Sequence, residues 1–584
     1  MNKILKRTFL WAGLLIVAGF GCVPRYGHDN NSIVVSTWPS DPPSLHPVCG
    51  NISSARVLVF DYTQKTLTRT DMRTLKQIPL LVKGLGQLSP DGKEISYELR
   101  DDVKWDDGTP LTVDDVIFTM KATKCPLSDD AMVRSVYDNV KDITKDNANP
   151  QKFTMMAKDV YYNNAYLFDE LYLVEKKHWD STGVLDKVSL PALDDKAFDG
   201  AKYPGLNDWA KAFNDGTNGH DVKKLCGLGA YAVTDWKPGS AITLTRKSKW
   251  WGENDTSVYS RAYPSQIVIK IVPDDQARFL AVKNHSVDAE MWLFTQSYAK
   301  LKADKDFNDN YYSGLTDQYN YNLIYLNTKP DGTKHPKIFD DKTVRHAVAL
   351  LAPIDEMNKT LILGMGTRMA SYISPVFKDY YNTSLALVPY DVEKAKKMLE
   401  DDGWKDTDGD NIRDKMVDGK KIPLSFHLTY SATPINKEAA LMIKDAMYKA
   451  GVEVIPDPVD QVELQKRAST HDFDMEMAGF SGGSIPDDPI QFLGSMNWAN
   501  NGSNFTGFGN AESDRIIDES NKAMDVTKRI ELLKQLQAIV YKEQPFIFMY
   551  GIKRKIVISK KFEQPGMFTE RPGVMLNNLK LKQK

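Results

Sequence analysis

The stretch Ile95–Lys121, ISYELRDDVKWDDGTPLTVDDVIFTMK, constrains the fold more than any other part of the chain. Ile95, Tyr97 and Leu99 alternate with Ser96, Glu98 and Arg100, which is the period of a strand buried on one face. Val103 and Trp105 resume the alternation after Asp101 and Asp102, and Asp107-Gly108 then turns the chain. Thr112 offers a hydroxyl as N-cap, Asp115 follows in the first turn, and Val113, Val116, Ile117 and Met120 share one helical face. The pattern predicts a strand, a turn and a capped helix.

The same residues carry a resemblance. From Leu99 to Met120 the wording LRDDVKWDDGTPLTVDDVIFTM is similar to the signature of the extracellular solute-binding proteins of family 5, the receptors of bacterial ABC importers for peptides, nickel and related solutes. It departs mainly at Val113, where that family usually has Ala. Many matching positions in order make this far more specific than a lone glycine motif. The resemblance implies a three-lobed α/β periplasmic binding protein (type II-like, cluster C), with mixed sheets and a ligand cleft between two main lobes.

At 584 residues the chain exceeds one ordinary core, so two or three lobes are expected. Its 42% hydrophobic and 26% charged residues suit a soluble globular protein and not a disordered one. Lys3, Lys6 and Arg7 precede an apolar run from Phe9 to Phe20, closed by Gly21-Cys22, which has the layout of an export signal. Cleavage before Cys22, with lipidation of that cysteine, is the expectation, although Gly19 stands where such sites usually have Leu. A plain signal peptide with an incidental Cys22 is the alternative. Loss of the signal would lower the net charge of −2 by three, so no basic face is implied and nucleic acid is not an expected partner. Arg25 to Ser32 read as a short tether. Cys49, Cys125 and Cys226 could be buried thiols or include one disulfide, and their spacing suggests no metal site.

Further along, Ile33-Val34-Val35 reads as a strand buried on both faces, followed by the proline-rich Asp41–Pro47. His46, where the family usually has Asp, is read as a surface or packing residue. Gly227 to Asn254 resembles the family block G-x-G-x-Y…W…G…I-x-L-x-R, with Ile242, Leu244 and Arg246 alternating after the Pro238-Gly239 turn. Asp275 to Glu290 reads as an amphipathic helix with a connector, and Asn320–Asn327 matches a family strand. Phe339–Ala347 and Val392–Trp404 match family helices, and Pro434 to Gly451 is a helix by its own pattern, followed by a strand from Val452 to Ile455. The resemblance recurs in order from residue 30 to residue 560 or so, and no short repeat or low-complexity tract interrupts it.

Gly479-Phe480-Ser481-Gly482-Gly483 satisfies G-x-S-x-G, the nucleophile elbow of α/β-hydrolases. Pro486 and Pro489 oppose the helix such an elbow needs, and His471, the last of nine histidines, precedes the serine. In peptide-binding relatives a G-W-x-x-D segment here supplies an Asp for the peptide amine; Phe480 takes the Trp position and Gly483 the Asp position. The resemblance therefore leaves the amine anchor missing, with Asp487 or Asp488 as substitutes and another solute as an open possibility. Asp406, Asp408, Asp410 and Asp414 form a weak calcium candidate in a loop diluted by Arg413 and Lys415, and a solvated turn is the favoured reading.

The resemblance implies a receptor that captures an oligopeptide or similar small solute in a hinged cleft and delivers it to an ABC permease in the inner membrane. The expected ligand-binding residues are Asn51, Tyr319, Tyr321, Phe480, Ser481, Gly482, Gly483 and Asp487, with no catalytic residues and no cofactor. Expected organisation is a signal at 1–22, lobe I from 23–62, 220–305 and 547–584, an inserted lobe II at 63–219, and lobe III at 306–546. The protein is expected as a monomer in the periplasm or cell envelope, held to a membrane by lipid. An exported serine hydrolase using Ser481 and a surface adhesion or scaffold lipoprotein are the alternatives.

Overall fold

The fold comes from a computed structural model that describes residues 32–50, 54–129, 131–486, 488–498 and 502–583. Three lobes each surround their own sheet. Lobe I holds a seven-stranded sheet in the order Tyr311–Thr316, Arg554–Ser559, Ala289–Glu290, Ile33–Trp38, Gln266–Ile271, Ala241–Arg246, Tyr231–Lys237. The apolar run at Ile33 becomes its middle strand, parallel to both neighbours, but of its first three residues only Val34 is buried, Val35 is half-buried and Ile33 is exposed where the strand begins.

Lobe II is built on four antiparallel strands, Gln87–Leu88, Glu94–Glu98, Lys152–Ala157 and Val140–Lys145 in that order. Ile95, Tyr97 and Leu99 point into its core, where Tyr97 stacks on Phe153 at 5.5 Å. The helix Val113–Lys124 follows as predicted. At its start the Asp115 carboxylate accepts from the Thr112 backbone N–H at 2.9 Å and from the Thr112 hydroxyl at 3.0 Å. Asp115 also accepts from the Lys176 backbone N–H at 2.9 Å, so it ties the helix to a distant segment.

Lobe III carries a mixed six-stranded sheet in the order Gly366–Arg368, Phe546–Ile552, Tyr321–Leu326, Met475–Phe480, Ser425–Ser431, Glu453–Val459. The helix Pro434–Tyr448 packs Ala439, Ala440, Ile443 and Met447 into its core. Gly451, at φ +74°, makes the left-handed turn into the strand Glu453–Val459 that other side chains adopt only with strain.

The strand Tyr311–Thr316 pairs with Arg554–Ser559 in the seven-stranded sheet, and the strand Phe546–Ile552 lies in the six-stranded one, so the chain passes between these two sheets at 317–320 and at Lys553. Among the described residues Cys49, Cys125 and Cys226 are buried and not in disulfides, and no helix is long and apolar enough to cross a membrane.

Candidate functional site

The two crossings run side by side. Gln318 Nε2 donates to the Ile552 carbonyl at 2.6 Å, Arg554 Nη2 donates to Gln318 Oε1 at 3.0 Å, and the Thr367 hydroxyl donates to Asp317 Oδ1 at 2.5 Å. Against them lies a cavity of ≈ 300 Å³, within the range of small-ligand sites. Lobe I contributes Asp61, Arg554, Glu570 and Arg571; lobe II contributes Arg69, Asp169 and Glu170; lobe III and the first crossing contribute Tyr319, Asn320 and Ser481–Ser484. A second chamber of ≈ 180 Å³ shares Val57, Arg69, Glu170 and Glu570 with the first and is walled by Phe60, Tyr137 and Tyr172.

Most charges here already have partners. Arg69 pairs with Asp61 at 3.1 Å, and the Tyr172 hydroxyl donates to the same carboxylate at 3.2 Å. Asp169 accepts from the Thr70 hydroxyl at 2.9 Å and from Gln77 Nε2 at 2.7 Å. Burial pushes the pKa of both carboxyls up, against the opposing pull of Arg69. Glu570 Oε1 accepts from the Arg571 backbone N–H at 3.0 Å, and burial raises its pKa as well. Arg554 differs. Its side chain is 6% exposed, its Nε lacks a hydrogen-bond partner, and among the described residues no carboxylate lies within ion-pair range. Burial, with the like charge of Arg571, brings its pKa down to about 10.

Residues 161–162 also touch residues of the segment 488–529. The Tyr161 hydroxyl donates to Asp488 Oδ2 at 2.9 Å, and the Arg529 guanidinium lies 4.1 Å from the centre of the Tyr162 ring. Asn521 and the Ile490 backbone N–H both donate to Asp488 Oδ1 at 2.8 Å.

Of the expected residues, Tyr319, Ser481, Gly482 and Gly483 line the cavity together. Tyr321 and Phe480 do not. They stack on each other at 4.9 Å within the lobe III core, around a crevice of only ≈ 20 Å³, and the Tyr321 hydroxyl donates to the Tyr372 carbonyl at 2.7 Å. Tyr321 is buried and Phe480 half-buried there, and Tyr319 and Gly482 line the same crevice. Asn51, Asp487 and Cys22 lie outside the described residues. Asp488, the other acid of that loop, is bound to Tyr161 rather than turned to the cavity.

His46 is a packing residue. It is 3% exposed between Trp179 and Phe213, and its Nδ1 accepts the backbone N–H groups of Val48 and Cys49. Burial, reinforced by Arg56, lowers its pKa to about 3, so it is neutral. Ser481 donates to Asn320 Oδ1 at 3.3 Å, and no helix follows it among the described residues up to Pro486, so the segment has no hydrolase elbow. Asp406, Asp408 and Asp414 gather their oxygens within 4.8 Å of one another, without Asp410, whose carboxylate accepts from the Ile412 backbone N–H. Lys421 supplies their positive charge, 2.7 Å from Asp408 and 3.2 Å from Asp414, which favours the solvated turn over a calcium site.

Asp61, Arg69, Arg554, Glu570 and Arg571 were not foreseen from the sequence. Two carried a signal: Asp61 interrupts the apolar run Val57–Tyr62, and Arg554 opens the apolar strand that continues Ile556-Val557-Ile558.

Residues 76–504 match the family model for "Bacterial extracellular solute-binding proteins, family 5 Middle". The oligopeptide-binding protein AppA of Bacillus subtilis (strain 168) is 26% identical over 506 residues, 85% of this chain and 82% of that protein. The solved structure of B. subtilis AppA in complex with a nonapeptide superposes with a TM-score of 0.67 at 22% identity, over 96% of this chain and 100% of that one. NikA from Brucella suis in complex with Fe(III)-EDTA gives a TM-score of 0.72 at 18% identity, over 94% and 100%. The fold, its cleft and the extent of the sequence match lead to one assignment: this chain belongs to the bacterial extracellular solute-binding proteins, family 5.

Proposed function

We propose that this protein captures a peptide, or a solute of similar size, between its lobes and hands it unchanged to an ABC import permease. The observation that carries this reading is the cavity itself, walled by all three lobes where the chain crosses twice between lobes I and III. Two short parallel crossings make a hinge, and a solute touching both sides binds the closed form best, so it shifts the equilibrium toward closure. Lobe boundaries consistent with this role fall at the crossings, with 63–219 as an insertion in lobe I. The names of the relatives support peptides as the first class to test. Native mass spectrometry of protein purified from its own cell envelope tests the reading: an intact peptide or small solute in stoichiometric amount supports it, and turnover of that molecule by the pure protein refutes it.

The cellular setting belongs to the same proposal. A lipid on Cys22 would hold a monomeric receptor at a membrane, in the periplasm or cell envelope, within reach of its permease. Fractionation of a Cys22→Ser variant tests this. Release into the soluble fraction is expected, and continued membrane attachment rules out the lipid on Cys22. Nothing in the geometry around Ser481 favours the hydrolase alternative.

A further inference from the structure

A further cavity, of ≈ 180 Å³, shares no described lining residue with either chamber beside the crossings. It is walled by one stretch, residues 230–262, where the strand Ala241–Arg246 ends and a loop returns to the strand Gln266–Ile271. Neighbours pin that loop. The Tyr259 hydroxyl donates to the Thr70 carbonyl at 2.7 Å, Asn577 Nδ2 donates to the Arg261 carbonyl at 2.6 Å, and Trp250 Nε1 donates to the Leu228 carbonyl at 2.8 Å. The walls are therefore set before any guest arrives.

The polar groups of this cavity are unequally matched. Lys247 is 8% exposed and forms an ion pair with Asp106, while its Nζ also donates to the Gly227 carbonyl at 3.0 Å. Arg246 uses only Nη1, which donates to the Ala262 and Tyr263 carbonyls at 2.9 and 2.8 Å. Among the described residues its Nε and Nη2 make no hydrogen bond, and no carboxylate pairs with it. Ser260 is only 3% exposed, yet its hydroxyl has no hydrogen-bond partner among them either, against the rule for buried hydroxyls. Glu253, exposed on the same wall, forms no ion pair with any of them. With Lys247 and Asp106 cancelling, one cation and one anion remain for a guest. A simple anion would be opposed by Glu253 and a simple cation by Arg246, whereas a molecule carrying both charges satisfies both. The volume lies below the range of about 300–1,000 Å³ typical of drug-sized ligands, and Ala230, Ala262 and the Trp250 ring form a short apolar wall. We infer that this cavity is a second binding site, for a free α-amino acid with a small side chain, whose carboxylate meets Arg246 and Ser260 and whose ammonium meets Glu253. Its chemistry does not depend on which solute is captured at the crossings.

Calorimetric titration of the mature protein tests the site, with glycine and L-alanine as zwitterions, acetate as the anion alone and methylamine as the cation alone. Glycine and L-alanine are expected to bind, and acetate and methylamine to bind at least about 10-fold more weakly through loss of one charge-assisted contact. Glu253→Gln and Arg246→Gln should each weaken glycine by a similar factor, and Ser260→Ala by about 2- to 10-fold. Gly483→Leu, which alters the other cavity, should bind glycine as the wild type does. Glycine binding lost in Gly483→Leu but kept in Glu253→Gln and Arg246→Gln would move the amino acid to the crossings and overturn the second site. Acetate binding as tight as that of glycine, or no glycine binding at all, would overturn it too. Thermal unfolding reports whether Arg246→Gln, which gives up two bonds to carbonyls, still folds; if it does not, Glu253→Gln and Ser260→Ala decide.

Discussion

Removal of one hydroxyl should reveal how much the contact between lobes II and III contributes to closure. In Tyr161→Phe the ring stays and only the bond to Asp488 Oδ2, 2.9 Å long, is lost. Asp488 keeps its bonds from Asn521 and Ile490, so its loop retains its local structure. Hydrogen bonds to charged groups contribute about 1.5–3 kcal/mol, which is roughly a 10- to 150-fold change in the ratio of closed to open protein. Asp488 is rehydrated on opening, so the lower end of that range is the better expectation. Because closure follows encounter, the ligand recovered by native mass spectrometry should dissociate faster from the variant by about that factor, with kon nearly unchanged. Stopped-flow tryptophan fluorescence reads both rates, and thermal unfolding reads the fold. An unchanged koff with a lowered Tm would refute the reasoning, since the bond would then stabilise the fold and not the closed state.

Three further outcomes follow from the same geometry. Gly483→Leu fills the cavity that Gly483 lines and should weaken ligand binding about 100-fold or more while Tm holds; unchanged affinity in calorimetry would remove this segment from the site. Asp61→Ala strands the buried Arg69 and should destabilise lobe I by about 3–5 kcal/mol in urea unfolding, whereas an unchanged midpoint would mean that Tyr172 and Tyr259 suffice to hold the guanidinium. Burial raises the pKa of Glu290 and Glu476 to about 8, against about 4.3 in an unfolded chain, so the native state holds the extra protons between those values. Stability should be greatest below that window and should fall by about 1.4 kcal/mol per pH unit per group as pH rises towards 8. Glu290→Gln with Glu476→Gln should flatten that slope in unfolding curves, and a slope equal to wild type would place its origin elsewhere.

Local patterns were legible in the sequence, and distant partnerships were not. The strand, turn and helix from Glu94 to Lys124 depend on alternation and on a cap within a few residues, so they emerge from the sequence directly. The strand Tyr311–Thr316 was harder, because YYSGLT says that it is a strand but not which sheet accepts it. Its partner Arg554–Ser559 lies far down the chain. Tyr319 and Ser481–Gly483, expected from their place in family motifs, line the cavity. Tyr321 and Phe480 line a smaller crevice with Tyr319 and Gly482, and an aromatic side chain reads alike in a sequence whether it faces a ligand or a core. The charged floor from Asp61 to Arg571 was missed because isolated acids and arginines resemble surface residues until folding buries them together.

Small-angle scattering of the mature protein, with and without its recovered ligand at saturation, addresses the hinge account most directly. A smaller radius of gyration on binding, with the ligand recovered intact afterwards, is the predicted result. An unchanged radius at full occupancy, or a ligand recovered in cleaved form, would contradict it.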